Sequence, residues 1–65
     1  MNLRVNGEDR AFASATLAAL VEELGMKSDR VAVELNRVIV PRVQWDATAL
    51  REGDELEIVH FVGGG

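Results

Sequence analysis

The residues of this sequence that could do chemistry are its last three, Gly63, Gly64 and Gly65, which follow the stretch "VHFV". Glycine costs more backbone entropy to order than any other residue, so a run of it adds nothing to the stability of a fold. An arm without side chains fits a channel too narrow for other residues, and we expect its functional group to be a carboxylate on Gly65. A carboxylate is a poor acyl donor until it is activated, for instance as an acyl-adenylate made from ATP by a partner enzyme. The residues alone leave open a second explanation, a frayed end or an expression remnant without function.

The rest of the sequence has no pattern typical of an active site. His60 is the only histidine and there is no cysteine, so neither a zinc site nor thiol chemistry is expected. No serine or carboxylate lies at a spacing that would make His60 a recognisable catalytic base. Paired carboxylates such as Glu55 and Glu57 fall on polar faces, and the glycines before the tail stand singly in turn-like contexts rather than in a phosphate-binding loop.

The composition predicts one small folded domain. The chain has 65 residues, of which 48% are hydrophobic, and a net charge of −4. Its basic residues are scattered singly, so a nucleic-acid partner is not expected. It has no apolar run long enough to span a bilayer and no signal-peptide pattern, and the lack of cysteine fits a reducing cytoplasm, where we expect the protein to reside.

The first half of the sequence predicts a hairpin followed by a helix. Leu3 and Val5 alternate with polar residues, and the dipeptide Asn6-Gly7 favours a tight hairpin turn because both residues tolerate positive φ. Apolar residues then recur at the spacing of one helical face. They are Leu17, Leu20, Val21 and Leu24, with Thr16 as the expected N-cap and Gly25 as the expected residue after the C-cap.

The second half predicts three further strands. In "VAVELN" the apolar residues Val31, Val33 and Leu35 share one side, and "VIVP" forms a short strand that Pro41 should confine to an edge. The segment "QWDATALREGD" looks irregular, with Trp45 and Leu50 covering one end of the core. In the last strand, Leu56 and Ile58 face away from Glu55 and Glu57.

This order of elements predicts an α+β fold, a mixed sheet of four to five strands with one helix packed across one face. We expect a single domain over residues 1–62 and a flexible glycine tail over residues 63–65. The opposite face of such a sheet stays open.

Two apolar residues interrupt the polar side of the last strand just before the tail. Val59 and Phe61 fall on the side that Glu55 and Glu57 mark as exposed, so they are candidates for docking a partner protein. The alternative, that the strand is buried on both faces or covered by a loop at this point, remains open from the sequence.

The element order, the segment "VELNRVIVPRVQW" and the ending "GDELEIVHFVGGG" together resemble the ThiS family, the sulfur carriers of thiamin biosynthesis. The resemblance covers essentially the whole chain and implies the ubiquitin-like β-grasp fold. The related MoaD carriers of molybdopterin synthesis are usually longer and lack the "VPR" and tryptophan combination.

The resemblance implies a carrier protein rather than an enzyme. Gly65 would be adenylated by a ThiF-type enzyme that uses ATP, and a sulfur donor would convert the adenylate into a thiocarboxylate. The thiazole synthase ThiG would then receive the sulfur, and the carrier itself would bind no cofactor. Gly64 matches the penultimate family glycine and Gly63 has a steric role, so both would help thread the tail, while Val59 and Phe61 would contact ThiF and ThiG.

Three other functions remain open at this point. The chain could be a MoaD-like sulfur carrier for molybdopterin. It could also be a ubiquitin-like modifier joined to lysine amines through the same glycine, or an interaction module with an idle tail.

Overall fold

The computed structural model describes residues 1–61, which form one five-stranded sheet with a helix packed on one face. The strands are β1 (Asn2–Val5), β2 (Glu8–Ala11), β3 (Val31–Leu35), β4 (Val38–Ile39) and β5 (Glu55–His60), and the helix is α1 (Leu17–Glu23). The strand order is β2-β1-β5-β3-β4, in which β1 and β5 are parallel and the other pairs antiparallel. The predicted mixed sheet with one helix is confirmed, whereas the boundary expected after residue 62 lies outside the described residues.

The predicted hairpin joins β1 to β2. Asn6 has φ 51 and Gly7 has φ 83, so both turn residues are left-handed, and Val5 pairs with Glu8 across the turn. Two left-handed residues are typical of the type I′ turn, whose twist matches that of the flanking strands. The dipeptide Asn6-Gly7 therefore folds as its residue types predict.

Both ends of α1 are capped as expected. The Thr16 hydroxyl accepts a hydrogen bond from the Ala19 N–H at 3.2 Å. Gly25 has φ +73, its N–H donates to the Glu22 carbonyl, and the Met26 N–H donates to the Val21 carbonyl. This pair of bonds is the Schellman motif, in which glycine relieves the steric cost of the left-handed residue.

The core lies between α1 and one face of the sheet. Trp45 and Leu50 are buried, as predicted, and the Trp45 indole N–H donates to the Val40 carbonyl at 2.8 Å. Leu24, at the C-cap of α1, is half-buried and packs against this core. The buried apolar residues are Leu3, Val5, Phe12, Leu17, Leu20, Val21, Val31, Val33, Trp45, Leu50, Leu56 and Ile58.

One sequence prediction was wrong in detail. Part of the segment expected to be irregular belongs to a 3₁₀-helix over Arg42–Ala47, and a second short 3₁₀-helix covers Ser28–Arg30. The Gln44 N–H donates to the Pro41 carbonyl, which gives the i to i+3 pattern of such helices. Trp45 is the one buried residue of Arg42–Ala47, so the sequence there has no apolar repeat that would indicate a helix.

Strand β5 is held by asparagine side chains on both sides. The Asn6 amide donates to the Ile58 carbonyl at 3.2 Å, and its oxygen accepts the Ile58 N–H at 2.7 Å. Asn36, with φ 50 in the turn between β3 and β4, accepts the Glu55 N–H at 3.0 Å and donates to the Asp54 carboxylate at 3.0 Å. Each turn therefore fixes β5 as well as its own hairpin.

Glu23, the last residue of α1, ties the helix to the segment after β2. Its carboxylate accepts hydrogen bonds from the Ala13 N–H at 3.2 Å, from the Ser14 N–H at 3.1 Å and from the Ser14 hydroxyl. The Ser14 hydroxyl, followed by the Ala13 N–H, lowers the pKa of Glu23 below its ordinary value of 4.5.

The Asn6 contacts predict a graded loss of stability. Replacement Asn6→Ala removes both bonds to Ile58 and places a Cβ without a compensating amide in the left-handed region, so we expect a loss of about 2 kcal/mol in the free energy of unfolding. Asn6→Gly removes only the bonds, and we expect about 1 kcal/mol. Chemical denaturation followed by the fluorescence of Trp45, the only tryptophan, measures both. Two variants as stable as the wild type would contradict the role given to this amide.

The Glu23 contacts predict a pH-dependent contribution to stability. Because the folded pKa is lowered, Glu23 stabilises the fold above its unfolded pKa, near 4.5, and this stabilisation is lost as the pH falls through the lower folded value. We expect Glu23→Gln to be less stable than the wild type at neutral pH and the difference to shrink below about pH 4.5. Thermal unfolding of both proteins across this range is the measurement, and a difference independent of pH would exclude an ionic role.

Candidate functional site

The residues to which the sequence assigns the chemistry, Gly63, Gly64 and Gly65, lie outside the described residues. What the structure describes is the strand that leads to them and the surface beside that strand. The described part of the candidate site therefore consists of β5 and the strands beside it.

Strand β5 lies between β1 and β3 at the centre of the sheet. Its ladder with β3 runs from the pair Leu35 and Leu56 to the pair Val31 and His60. One residue further, the Phe61 N–H still donates to the Arg30 carbonyl at 2.8 Å. The chain is thus fixed to the sheet as far as the last described residue.

Val59 and Phe61, the terminal patch, are exposed at the end of this strand, with fractional exposures of 57% and 55%. Val59 lies on the face opposite to the buried Ile58, because successive side chains of a strand alternate. Among the described residues nothing buries either side chain, so the alternative of a strand buried on both faces does not hold here. Their part in binding a partner stays a prediction.

Another large, exposed apolar residue shares this open face, the face of the sheet that α1 does not cover. Ile39 on the edge strand β4 is 70% exposed and pairs with Glu34, which in turn pairs with Glu57 on β5. The sequence analysis missed Ile39 as a surface residue. The strand β4 was predicted from the sequence. The face on which Ile39 lies depends on the register of β4 against β3, and a strand of two residues is too short to predict that register.

Charged residues lie on the open face beside the start of β5. Arg4 on β1 pairs with Asp9 on β2, and their side chains form an ion pair at 3.0 Å. The hydrogen bond from Arg4, and then its charge, lower the pKa of Asp9. Arg4 also pairs with Glu55 across β1 and β5. The surface thus changes from charged at the start of β5 to apolar at its end.

His60 is exposed on β5. Within residues 1–61, no three carboxylate, imidazole or thiol groups come close enough together to hold a metal ion. None of the helices in this part of the chain is long and apolar enough to cross a membrane.

Comparison with known proteins places these features in a family. The sequence profile described as the ThiS family matches residues 3–65, which include the terminal glycines and every strand residue except Asn2. The crystal structure of a thiamine biosynthesis protein (ThiS) from Geobacter metallireducens superposes with a TM-score of 0.84 at 36% identity, and the match covers 100% of both chains.

Two curated relatives differ in how much of their own length this chain spans. A thiazole synthase from Paramagnetospirillum magneticum is 53% identical over 66 aligned residues, which cover 100% of this chain but 20% of that protein. The sulfur carrier protein ThiS from Thermus thermophilus is 36% identical over 61 residues, which cover 94% of this chain and 95% of that protein. From the profile match, these relatives and the shared fold, the chain belongs to the ThiS family.

Proposed function

We propose that this chain is a sulfur carrier of thiamin biosynthesis and that the carboxyl group of Gly65 is its reactive group. The observation that carries the proposal is the extent of the family match, which runs through residue 65 and so includes the glycines that the chemistry needs. The match to a ThiS sulfur carrier over 95% of that protein supports the thiamin pathway over a molybdopterin carrier or a protein modifier.

The proposed chemistry proceeds in two steps at Gly65. The carboxylate oxygen attacks the α-phosphorus of ATP on a ThiF-type enzyme, which forms the acyl-adenylate and releases pyrophosphate. Hydrosulfide released by a sulfur donor then attacks the acyl carbon, AMP leaves, and loss of the sulfur-bound proton gives the thiocarboxylate. This chain supplies the acyl group and binds no cofactor of its own, so it acts as a protein substrate rather than as a catalyst. The reaction takes place in the cytoplasm, where ATP is available.

Gly63 and Gly64 have a steric part in this scheme. Without side chains they can follow a narrow channel in the partner and adopt backbone angles closed to other residues. Residues 1–62 then form the recognised domain, and residues 63–65 the part that enters the active site. From Phe61 the tail reaches at most about 14 Å, so the partner's active site must lie close to where the sheet docks.

The terminal patch is the proposed docking surface for the partner enzymes. Each apolar side chain buried at an interface contributes roughly 1.5–3 kcal/mol, and the core of this fold does not require Val59 or Phe61. The similarity to a thiazole synthase supports a ThiG-type enzyme as the acceptor of the sulfur. A ThiF-type enzyme is the proposed first partner, because the carboxylate has to be activated before sulfur can be transferred.

The reaction predicts a defined change in mass. After incubation with ATP, a ThiF-type enzyme and a sulfur donor, we expect the intact mass to rise by the difference between one sulfur and one oxygen atom. Fragmentation should place the change on Gly65. A variant that lacks Gly64 and Gly65 should show no such change and should not support thiazole formation.

A truncated variant that still supplies sulfur would contradict the assignment of the reactive group. Adducts joined to lysine side chains, without a free thiocarboxylate, would instead identify the chain as a protein modifier.

The terminal patch predicts a binding defect without a folding defect. The double variant Val59→Ser and Phe61→Ser should keep nearly the wild-type melting temperature, because both side chains are more than half exposed. We expect its KM in the adenylation reaction to rise at least about tenfold, which corresponds to the loss of about 1.4 kcal/mol of contact energy.

Val38→Ser is the matched control for this experiment. Val38 is a valine with 64% exposure on β4, and its pairing with Leu35 places it on the face opposite to Ile39. Its KM should match that of the wild type. Equal KM values for the control and the double variant would exclude the terminal patch as a docking surface.

A further inference from the structure

Two carboxylates lie side by side on the open face, next to the terminal patch. Glu34 on β3 and Glu57 on β5 are direct partners in the antiparallel ladder, so their side chains lie on the same face with Cβ atoms about 5 Å apart. These two residues form the acidic pair. Like charges at directly opposed positions destabilise a sheet.

Nothing in the described part of the chain neutralises the acidic pair directly. Within residues 1–61 neither carboxylate takes part in a side-chain hydrogen bond, and the ion pair found there joins Arg4 to Asp9. Arg37 lines the same shallow hollow of about 510 Å³ as Glu34, Glu55 and Glu57, but forms no ion pair with them. Three carboxylates and one guanidinium leave this hollow with a net negative charge.

At the start of β5 an arginine is paired with a carboxylate, in contrast to the acidic pair. Arg4 lines a neighbouring hollow of about 410 Å³, where it forms an ion pair with Asp9 and its charge attracts Glu55. Glu52 also lines this hollow. Both hollows contain one guanidinium and three carboxylates, so the acidic pair is distinguished by the lack of an ion pair among the described residues and not by its net charge. Val59, which belongs to the terminal patch, also lines the hollow that contains the acidic pair.

We propose that the acidic pair is the second half of the docking surface and receives an arginine or lysine side chain of the adenylating partner. The inference rests on the proposed function and adds to it the charge of the partner's surface. The cation sits between Glu34 and Glu57 and removes their mutual repulsion, so that a pair unfavourable in the free protein becomes favourable in the complex. Apolar contact at Val59 excludes water beside this ion pair and strengthens it.

Two kinds of contact along one strand also fix how the partner is oriented. Val59 and Glu57 are two residues apart on β5, a distance of about 7 Å along the strand. A partner with its apolar and basic groups at that spacing can dock in one direction only, with the apolar group toward the tail. An apolar contact alone is non-directional and would not set this orientation.

The test uses the full chain, a ThiF-type adenylating enzyme and ATP, and measures the KM and kcat of adenylation. We expect Glu34→Gln together with Glu57→Gln to raise KM about five- to tenfold and to leave kcat unchanged. The melting temperature should stay the same or rise, because repulsion across the ladder is removed. The KM of the wild type should increase with salt more steeply than that of this variant.

Two further variants test the direction of the charge effect and provide a control. Arg37→Gln makes the hollow more negative, so KM should fall about twofold or more. Glu8→Gln removes one carboxylate from β2, the strand at the opposite edge, and should leave KM unchanged.

If the wild type is adenylated and the double variant Glu34→Gln and Glu57→Gln has the same KM, this inference is wrong. The carrier function is not affected by that result. A rise in KM for Arg37→Gln overturns the docking inference as well, since that result requires an acidic partner surface. A wild-type chain that is never adenylated overturns both the carrier function and the docking inference.

Discussion

The side-chain amides of Asn6 and Asn36 hydrogen-bond to the backbone of β5, and this constraint on the central strand is the one on which the remainder of the structure depends. Strand β1 pairs with β5 at only two positions, ending at Val5 and Leu56, and then turns away. The Asn6 side chain occupies the place where the next residue of β1 would have been. An amide group carries one acceptor oxygen and donor hydrogens, as a peptide unit does, so it can satisfy both backbone groups of Ile58. Asparagine also tolerates the left-handed backbone that the turn requires, so one residue type serves both needs.

This arrangement separates the residues that build the fold from those that are free to bind. Because the ladder with β3, together with Asn6 and Asn36, secures the backbone of β5, the side chains on its open face are not needed to hold the strand. The opposite side of β5 supplies Leu56 and Ile58 to the core. Within residues 1–61 the helix packs against one face of the sheet, and no described element covers the other face. Apolar groups on that face therefore add nothing to the core, and the proposed docking contact would give them a role.

The features that were predictable from the sequence are those set by neighbouring residues. Asn6 and Gly7 define their turn locally, and Thr16 and Gly25 mark the ends of α1 through contacts within one helical turn. The 3₁₀-helix over Arg42–Ala47 was not predictable by periodicity, since it buries a single residue. The bonds of Asn6 to Ile58 join residues far apart in sequence, and so does the pairing of Glu34 with Glu57. Register between distant strands is a tertiary property, which explains why the sequence indicated the terminal patch but not the acidic pair beside it.

The contrast between two cross-strand pairs shows that the acidic pair is not forced by the fold. Arg4 and Asp9 occupy directly opposed positions on β1 and β2, just as Glu34 and Glu57 do on β3 and β5. At the first position the sequence supplies opposite charges, which meet at 3.0 Å. At the second it supplies like charges, although a lysine or arginine at either residue would give the same favourable geometry. A local cost in stability that one substitution could remove is typical of surfaces that bind, because the charge that is unfavourable in the free protein is the one a complementary partner needs.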